Sequence, residues 1–211
     1  MDKAYEAASV VAEARASEKH HNQSIRRPRI RIVPAACSQD AEFVDTITAL
    51  VNNVYREHER DLFVQGYKRT NVDEIRSFIQ AGEIAVLYAP STSDAAGQER
   101  PIGCIRIQRL SPTLGEFGMM AVEAEYRGNG FGKELVRFAE EQCRRSGSTA
   151  MQVELLFPTD FEHAFKKRLF EWYTRMGYTL IKLGDFQDDY PHLAKLLRGP
   201  IEYRVLEKPL T

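Results

Sequence analysis

The run Arg127-Gly128-Asn129-Gly130-Phe131-Gly132-Lys133 sets three glycines within five residues, between a strand-like segment and an amphipathic helix. Glycine lets successive backbone N–H groups turn toward one anion with no Cβ in the way. The helix that begins there adds the positive end of its dipole. So many glycines carry a large entropic cost for an ordinary turn, which favours a ligand-binding reading over a simple strand-to-helix connection. Gly115 to Val122 supplies the strand, and Leu135, Phe138, Ala139 and Cys143 recur at the spacing of a buried helix face. A strand, a glycine turn and a helix pointing at a pyrophosphate imply a nucleotide-like ligand.

Spacing excludes three familiar phosphate loops. A P-loop needs glycine at its first position and a serine or threonine after its lysine, where Arg127 and Glu134 stand. A dinucleotide fingerprint needs glycine at 133, which is Lys133. The kinase glycine loop fails on the same spacing and lacks its downstream partners.

What remains, Arg-x-x-Gly-x-Gly, resembles the coenzyme A pyrophosphate loop of the GNAT N-acetyltransferase superfamily. The neighbours agree. Met120-Ala121-Val122 and the acidic spacer from Glu123 to Tyr126 precede the loop, and Thr149 to Phe157 alternates as a following strand. The segment Phe170 to Tyr178, with Trp172-Tyr173 and Gly177-Tyr178, resembles the family's aromatic-Tyr-x-x-x-Gly-aromatic signature. The resemblance implies an α+β fold, a mixed and mostly antiparallel sheet flanked by helices in a single domain. Two departures stand out. Lys166 and Leu169 replace an asparagine and an alanine common in the family, which puts one pantetheine contact in doubt, and Phe157 to His163 lengthens the passage from strand to helix.

Residues 1–28 are polar, lack an apolar run and carry acids that a mitochondrial presequence avoids, so they read as a loosely docked N-terminal extension to a domain over 29–211. Arg29 to Val33 alternates as a first strand. Ser38 is the expected cap of a helix from about Gln39 to His58, with Phe43, Ile47, Leu50, Val51 and Val54 on its apolar side. A second helix carries Val72, Ile75, Phe78 and Ile79 and closes at Ala81-Gly82. Glu83 to Ala89 and Pro101 to Arg109 read as strands joined by a Ser/Asp/Gly loop, and Leu180 to Leu183 and Ile201 to Leu206 as the last two.

The 211 residues carry a formal net charge of −1, which leaves no broad field for nucleic acid. The basic run from Arg26 to Arg31 reads as a solvated strand face. No segment approaches membrane-spanning length. Cys37, Cys104 and Cys143 are scattered without metal spacing, so no metal is expected and a reducing cytoplasm is.

The resemblance implies acetyl-CoA as cosubstrate, with Arg127, Gly128, Asn129, Gly130, Phe131, Gly132 and Lys133 around the pyrophosphate. The main chain at Met120, Ala121 and Val122 would meet the pantetheine arm and polarise the thioester carbonyl. Tyr173 is the candidate general acid, since a phenol near pKa 10 can reprotonate a thiolate of about 8.5; the alternative is a packed tyrosine. Glu116 is the candidate base, placed by alternation on one strand face with Gly118, Met120 and Val122; the alternatives are a solvent-facing carboxylate, an ion pair, or a water chain in its stead. Acceptor walls are expected from Tyr55, His58, Phe63 and Tyr67, and from Asp185 to His192, whose aromatics and acids suit an ammonium group. His58 is a second candidate proton acceptor. His163 and His192 read as surface residues. The implied activity is direct acetyl transfer to a primary amine of a small molecule, by a monomer or homodimer. A peptide N-acetyltransferase and a non-catalytic acyl-CoA sensor are the competing readings.

Overall fold

Ile84–Tyr88 is buried at every position, so this strand needs a covering layer on both of its faces. The computed structural model describes residues 28–89 and 99–211 of the chain. The expected extension over 1–28 therefore lies outside the described residues except for Pro28, as does most of the Ser/Asp/Gly loop. In chain order the strands are β1 (Arg29–Ile32), β2 (Ile84–Tyr88), β3 (Pro101–Arg109), β4 (Leu114–Val122), β5 (Ala150–Pro158), β6 (Thr179–Gly184) and β7 (Ile201–Pro209). The helices are α1 (Ala41–Glu59), α2 (Val72–Gln80), α3 (Phe131–Arg145), α4 (Ala164–Arg175) and the one-turn α5 (Phe186–Asp189) and α6 (Pro191–Ala194).

The strands form one sheet in the order β1-β2-β3-β4-β5-β7-β6. Only β4 and β5 pair in parallel; the other five contacts are antiparallel. This is the mixed, mostly antiparallel α+β arrangement expected from the sequence. One face packs Phe117, Leu135, Ala139, Met151, Tyr173 and Tyr178 beneath α3 and α4. The other packs Val44, Ile47, Val51, Ile75 and Ile79 from α1 and α2 over Val86, Cys104 and Ala121. A smaller cluster, Leu62, Phe63, Leu156, Phe186, Leu193 and Tyr203, sits under the two long connections.

The cap of α1 corrects one expectation. Ser38 is buried inside a 3-10 turn (Ala35–Gln39), and Asp40 is the cap, its Oδ1 accepting from the Phe43 N–H at 3.1 Å. An aspartate in extended conformation directly before the first helical residue competes better for the free N–H groups than a serine already committed to a turn. The α2 cap is Asn71, accepting from the Glu74 N–H at 2.9 Å. The connection between β6 and β7 folds into α5 and α6, started by Asp185, whose side chain accepts from the Gln187 and Asp188 N–H groups. Among the described residues no helix is long and apolar enough to cross a membrane.

Gly115 marks the tightest approach of the sheet to α3. A Cβ there would collide with Cys143 Sγ and lie 2.8 Å from its Cβ. Gly115→Ala is expected to destabilise the fold by about 1–3 kcal/mol through overpacking, read as a lower urea midpoint with an unchanged slope.

Candidate active site

Parallel pairing between β4 and β5 covers only Leu114↔Ala150, Gly115↔Met151 and Glu116↔Gln152. Beyond Glu116 the two strands part. On its other side β4 pairs Gly118 with Arg106 and Ala121 with Cys104, so Met119 and Met120 together oppose Ile105. That extra residue is a β-bulge, and Met119 takes a left-handed φ of 47° to make it. The bulge reverses the alternation. Phe117, Met120 and Val122 pack toward α3 and α4, whereas Met119 and Ala121 pack toward α1. Glu116 neighbours Phe117 along the strand and so faces away from it. The expectation that Glu116 shares a face with Met120 and Val122 is therefore corrected: strict alternation ends at the bulge.

A cavity fills the gap between the parted strands. Glu116, Met120, Glu154 and Tyr173 line it, as do Tyr55, His58, Phe63 and Tyr67. The candidate base, acid and acceptor-wall residues thus meet in one space. Glu116 is buried, with Gln108 Nε2 donating to its Oε1 at 2.5 Å and Gln152 Nε2 to its Oε2 at 2.7 Å. Both partners are its cross-strand neighbours. Arg106 donates to Gln108 Oε1 at 2.5 Å and is itself held by Glu83, which turns the Gln108 amide nitrogen toward Glu116. Gln152 Nε2 also donates to Glu154, and Tyr190 Oη donates to Glu154 from the opposite side at 3.1 Å. Burial, reinforced by the nearby Glu154 carboxylate, pushes the Glu116 carboxyl up to about 7, against the two amide donors that favour its charged form.

Tyr173 is buried on α4, its ring tilted against Phe117 and Trp172. Burial pushes its phenol above the ordinary tyrosine value, so it stays protonated at neutral pH. The glycine loop lies at the start of α3. Gly128 and Gly130 have φ of 82° and 87°, and Gly130 is the helix cap with no side chain to offer. The first intrahelical bond is Glu134 N–H to Gly130 O at 3.1 Å, so the N–H groups of Phe131, Gly132 and Lys133 have no partner inside the helix. Gly132 sits against the Trp172 ring, Phe131 is half-buried and Lys133 is exposed. Arg127 is engaged elsewhere: its Nε donates to Val122 O, and its two terminal nitrogens grip Glu57 of α1 at 2.7 and 2.8 Å. Its side chain ties the loop to α1, which sequence spacing did not reveal.

The segments expected to wall the acceptor are packed rather than solvated. Phe63 stacks on Tyr67 with centroids 3.8 Å apart, and His58 on Phe165 at 3.9 Å. Burial lowers the His58 pKa, and burial raises the Tyr55 phenol to about 12. The long connections zip together through a Phe63↔Leu197 bridge, with Val64 N–H to Leu196 O and Arg198 N–H to Leu62 O. Two groups in or beside the cavity, Lys166 and Glu154, escaped the sequence reading as site residues, whereas Tyr190 belongs to the expected wall from Asp185 to His192. Lys166, read only as a missing asparagine, is buried in an ion pair with Glu59. Glu154 and Tyr190 complete the network around Glu116. His163 is not a surface histidine: its Nδ1 caps α4 and its Nε2 donates to His58 O at 3.1 Å. Among the described residues no cluster of three or more His, Cys, Asp and Glu side chains is placed to hold a metal ion.

Residues 91–180 match the family model described as "Acetyltransferase (GNAT) domain". Over 87 residues the chain is 33% identical to N-alpha-acetyltransferase 30 of Saccharomyces cerevisiae, a match spanning 39% of this chain and 45% of that protein. An aminoglycoside 6'-N-acetyltransferase complexed with coenzyme A superposes with a TM-score of 0.60 at 15% identity, covering 87% of this chain and 97% of that one. The NatC complex bound to Gag peptide and CoA gives 0.58 at 18% identity, with 88% and 99% covered. An N-acetylglutamate synthase from Neisseria gonorrhoeae, complexed with coenzyme A and N-acetyl-glutamate, gives 0.56 at 16% identity, covering 87% of this chain and 35% of that one.

The raised Glu116 pKa has a consequence for stability. The folded chain holds this proton up to about pH 7, whereas the unfolded chain releases it near the ordinary value of 4.5. Between those values the folded state binds more protons, so the contribution of Glu116 to stability declines as pH rises through that window. Melting temperatures of the parent should fall from pH 5 to pH 7.5 relative to those of Glu116→Gln. Parallel curves would contradict a buried, proton-holding Glu116.

Proposed function

We propose that this chain, which carries a GNAT acetyltransferase domain, transfers the acetyl group of acetyl-CoA directly to the primary amine of a small molecule. The carrying observation is Glu116, a buried carboxyl with a pKa raised to about 7. It sits where β4 and β5 part and shares a cavity with a protonated tyrosine. A free alkylammonium, near pKa 10.4, is no nucleophile and must lose a proton first. Glu116 takes it, directly or through a water, and is half ionised near neutral pH because of its surroundings. The amine nitrogen forms a bond to the thioester carbon, and a backbone N–H at Met120 stabilises the oxyanion. The C–S bond then breaks, and Tyr173 supplies the proton for the thiolate. Taken alone this donation is uphill, from a phenol raised by burial to a thiol near 8.5, so it goes with C–S cleavage as charge develops on the sulfur, and the second proton that the nitrogen loses as the amide forms restores the phenol.

The cofactor grip we assign to the backbone of residues 128–133, where helix N–H groups and two left-handed glycines offer donors to a pyrophosphate. Arg127 serves by fixing the loop to α1. Tyr55, His58, Phe63 and Tyr67 wall the acceptor, and the bridged connections above them favour a compact amine over an extended peptide. Residues 29–211 act as one catalytic domain. Its cysteines Cys37, Cys104 and Cys143 are free thiols, which suits the cytoplasm. A second reading, acetylation of peptide N-termini, draws support from the likeness to N-alpha-acetyltransferase 30.

Titration calorimetry with acetyl-CoA, on the parent and on Gly130→Glu, tests the cofactor site. The parent should bind, and the folded variant should lose at least tenfold in affinity, because a carboxylate in the loop repels the pyrophosphate. Thiol release with free amines and with short peptides then decides the acceptor class. A parent that binds no acetyl-CoA would end the enzyme reading.

A further inference from the structure

The charges around the cavity do not cancel uniformly. Lys166 is paired with Glu59, and Arg106 with Glu83. Glu116 and Glu154 form an acidic pair joined through Gln152. Arg69 also lines the cavity, and among the described residues no carboxylate lies within ion-pair distance of its guanidinium. Its neighbours are aromatic: the guanidinium carbon lies 5.5 Å from the Tyr55 ring centre and 5.7 Å from that of Tyr190. The two rings flank the cation, the Tyr55 hydroxyl takes up one of its donors, and the rest of the planar fork stays available. Glu59, already tied to Lys166, acts on this half-buried cation only from beyond ion-pair distance, and an incoming carboxylate would give it a direct partner.

Tyr190 sets the scale. Its ring lies beside Arg69, while its hydroxyl donates to Glu154. One tyrosine side chain therefore spans the distance from the unpaired cation to the acidic pair where the amine would be deprotonated. A cavity with a guanidinium at one end and carboxyl groups at the other complements a short zwitterion.

We propose that the acceptor is an amino carboxylate, a compact molecule whose amine lies toward Glu116 and whose carboxylate is gripped by Arg69. This rests on the amine acetyl transfer proposed above and narrows it. Arg69 is then a specificity-determining residue that binds substrate at a distance from the reacting atoms. A guanidinium matches the two oxygens of a carboxylate, so the same cavity should discriminate against the amine that lacks them.

The test compares matched pairs by thiol release: leucine with 3-methylbutylamine, phenylalanine with phenethylamine, and β-alanine with ethylamine. The parent should favour at least one amino carboxylate over its partner, and Arg69→Gln should shrink that kcat/KM ratio by roughly 10- to 100-fold. Arg69→Lys, which keeps the charge but not the planar fork, should retain part of the preference and serves if the glutamine variant does not fold. A purely structural Arg69 would slow both members of a pair alike and leave the ratio unchanged, which overturns the proposal. Preference for the amines without a carboxylate overturns it too, while leaving amine acetylation standing. If acetyl-CoA binds and neither series turns over, the acetyl-transfer reading fails. Calorimetry with the three amino carboxylates then decides Arg69 by itself: binding that is lost in Arg69→Gln upholds the carboxylate site, and no binding to the parent overturns it.

Discussion

Three residue pairs are all that join β4 to β5, and the loss of pairing after Glu116↔Gln152 makes everything else at this site possible. A continuous sheet would bury its backbone donors in ladder hydrogen bonds and leave no passage between its two faces. The bulge at Met119 and Met120 bends β4 away from its partner and adds the residue that reverses the side-chain alternation. Met119 takes a conformation that is unfavourable for any residue with a Cβ, and strain of that kind is tolerated where surrounding structure enforces it. Its side chain is buried among α1 and α2 residues, which provides that enforcement.

The polar network depends on this parting. Gln108 and Gln152 reach Glu116 because they are its partners in the last paired rung on either side. A carboxyl in this position is surrounded by neutral donors rather than by a cation, so burial outweighs hydrogen bonding and the pKa rises. An arginine at position 152 would do the opposite and lock the group in its charged form. The two faces of the sheet thereby contribute differently to the cavity: α4 presents Tyr173 from one side, and α1 with its following connection brings Tyr55, His58, Phe63 and Tyr67 from the other.

The local features were legible in the sequence, and the long-range ones were not. The glycine loop and α3 announce themselves because turn chemistry and helical periodicity are written in adjacent residues, and Glu116 and Tyr173 follow from motif positions. The cavity they share joins residues more than fifty positions apart. Ser38 was a reasonable cap by residue type, yet Asp40 won because Ser38 is spent in the preceding turn. Lys166 was visible only as a departure from a pattern; that it pairs with Glu59 depends on how α4 packs beside α1. Arg69 and Glu154 carry no local signal at all, since each is an ordinary residue in a loop or strand until folding aims it inward, and Tyr190 was legible only as one aromatic of the stretch from Asp185 to His192. The bulge at Met119 lacks the glycine that would have marked it, and so the strand read as regular.

The pH dependence of kcat/KM for thiol release, measured on the parent and on Glu116→Gln with the best amine, tests the central claim most directly. The account predicts an acidic limb with an apparent pKa near 7 in the parent, and in the variant a rate lowered roughly 100-fold or more with that limb gone. An acidic limb that persists unchanged in Glu116→Gln, at nearly the parent rate, would contradict it and move the proton acceptor to another group in the cavity.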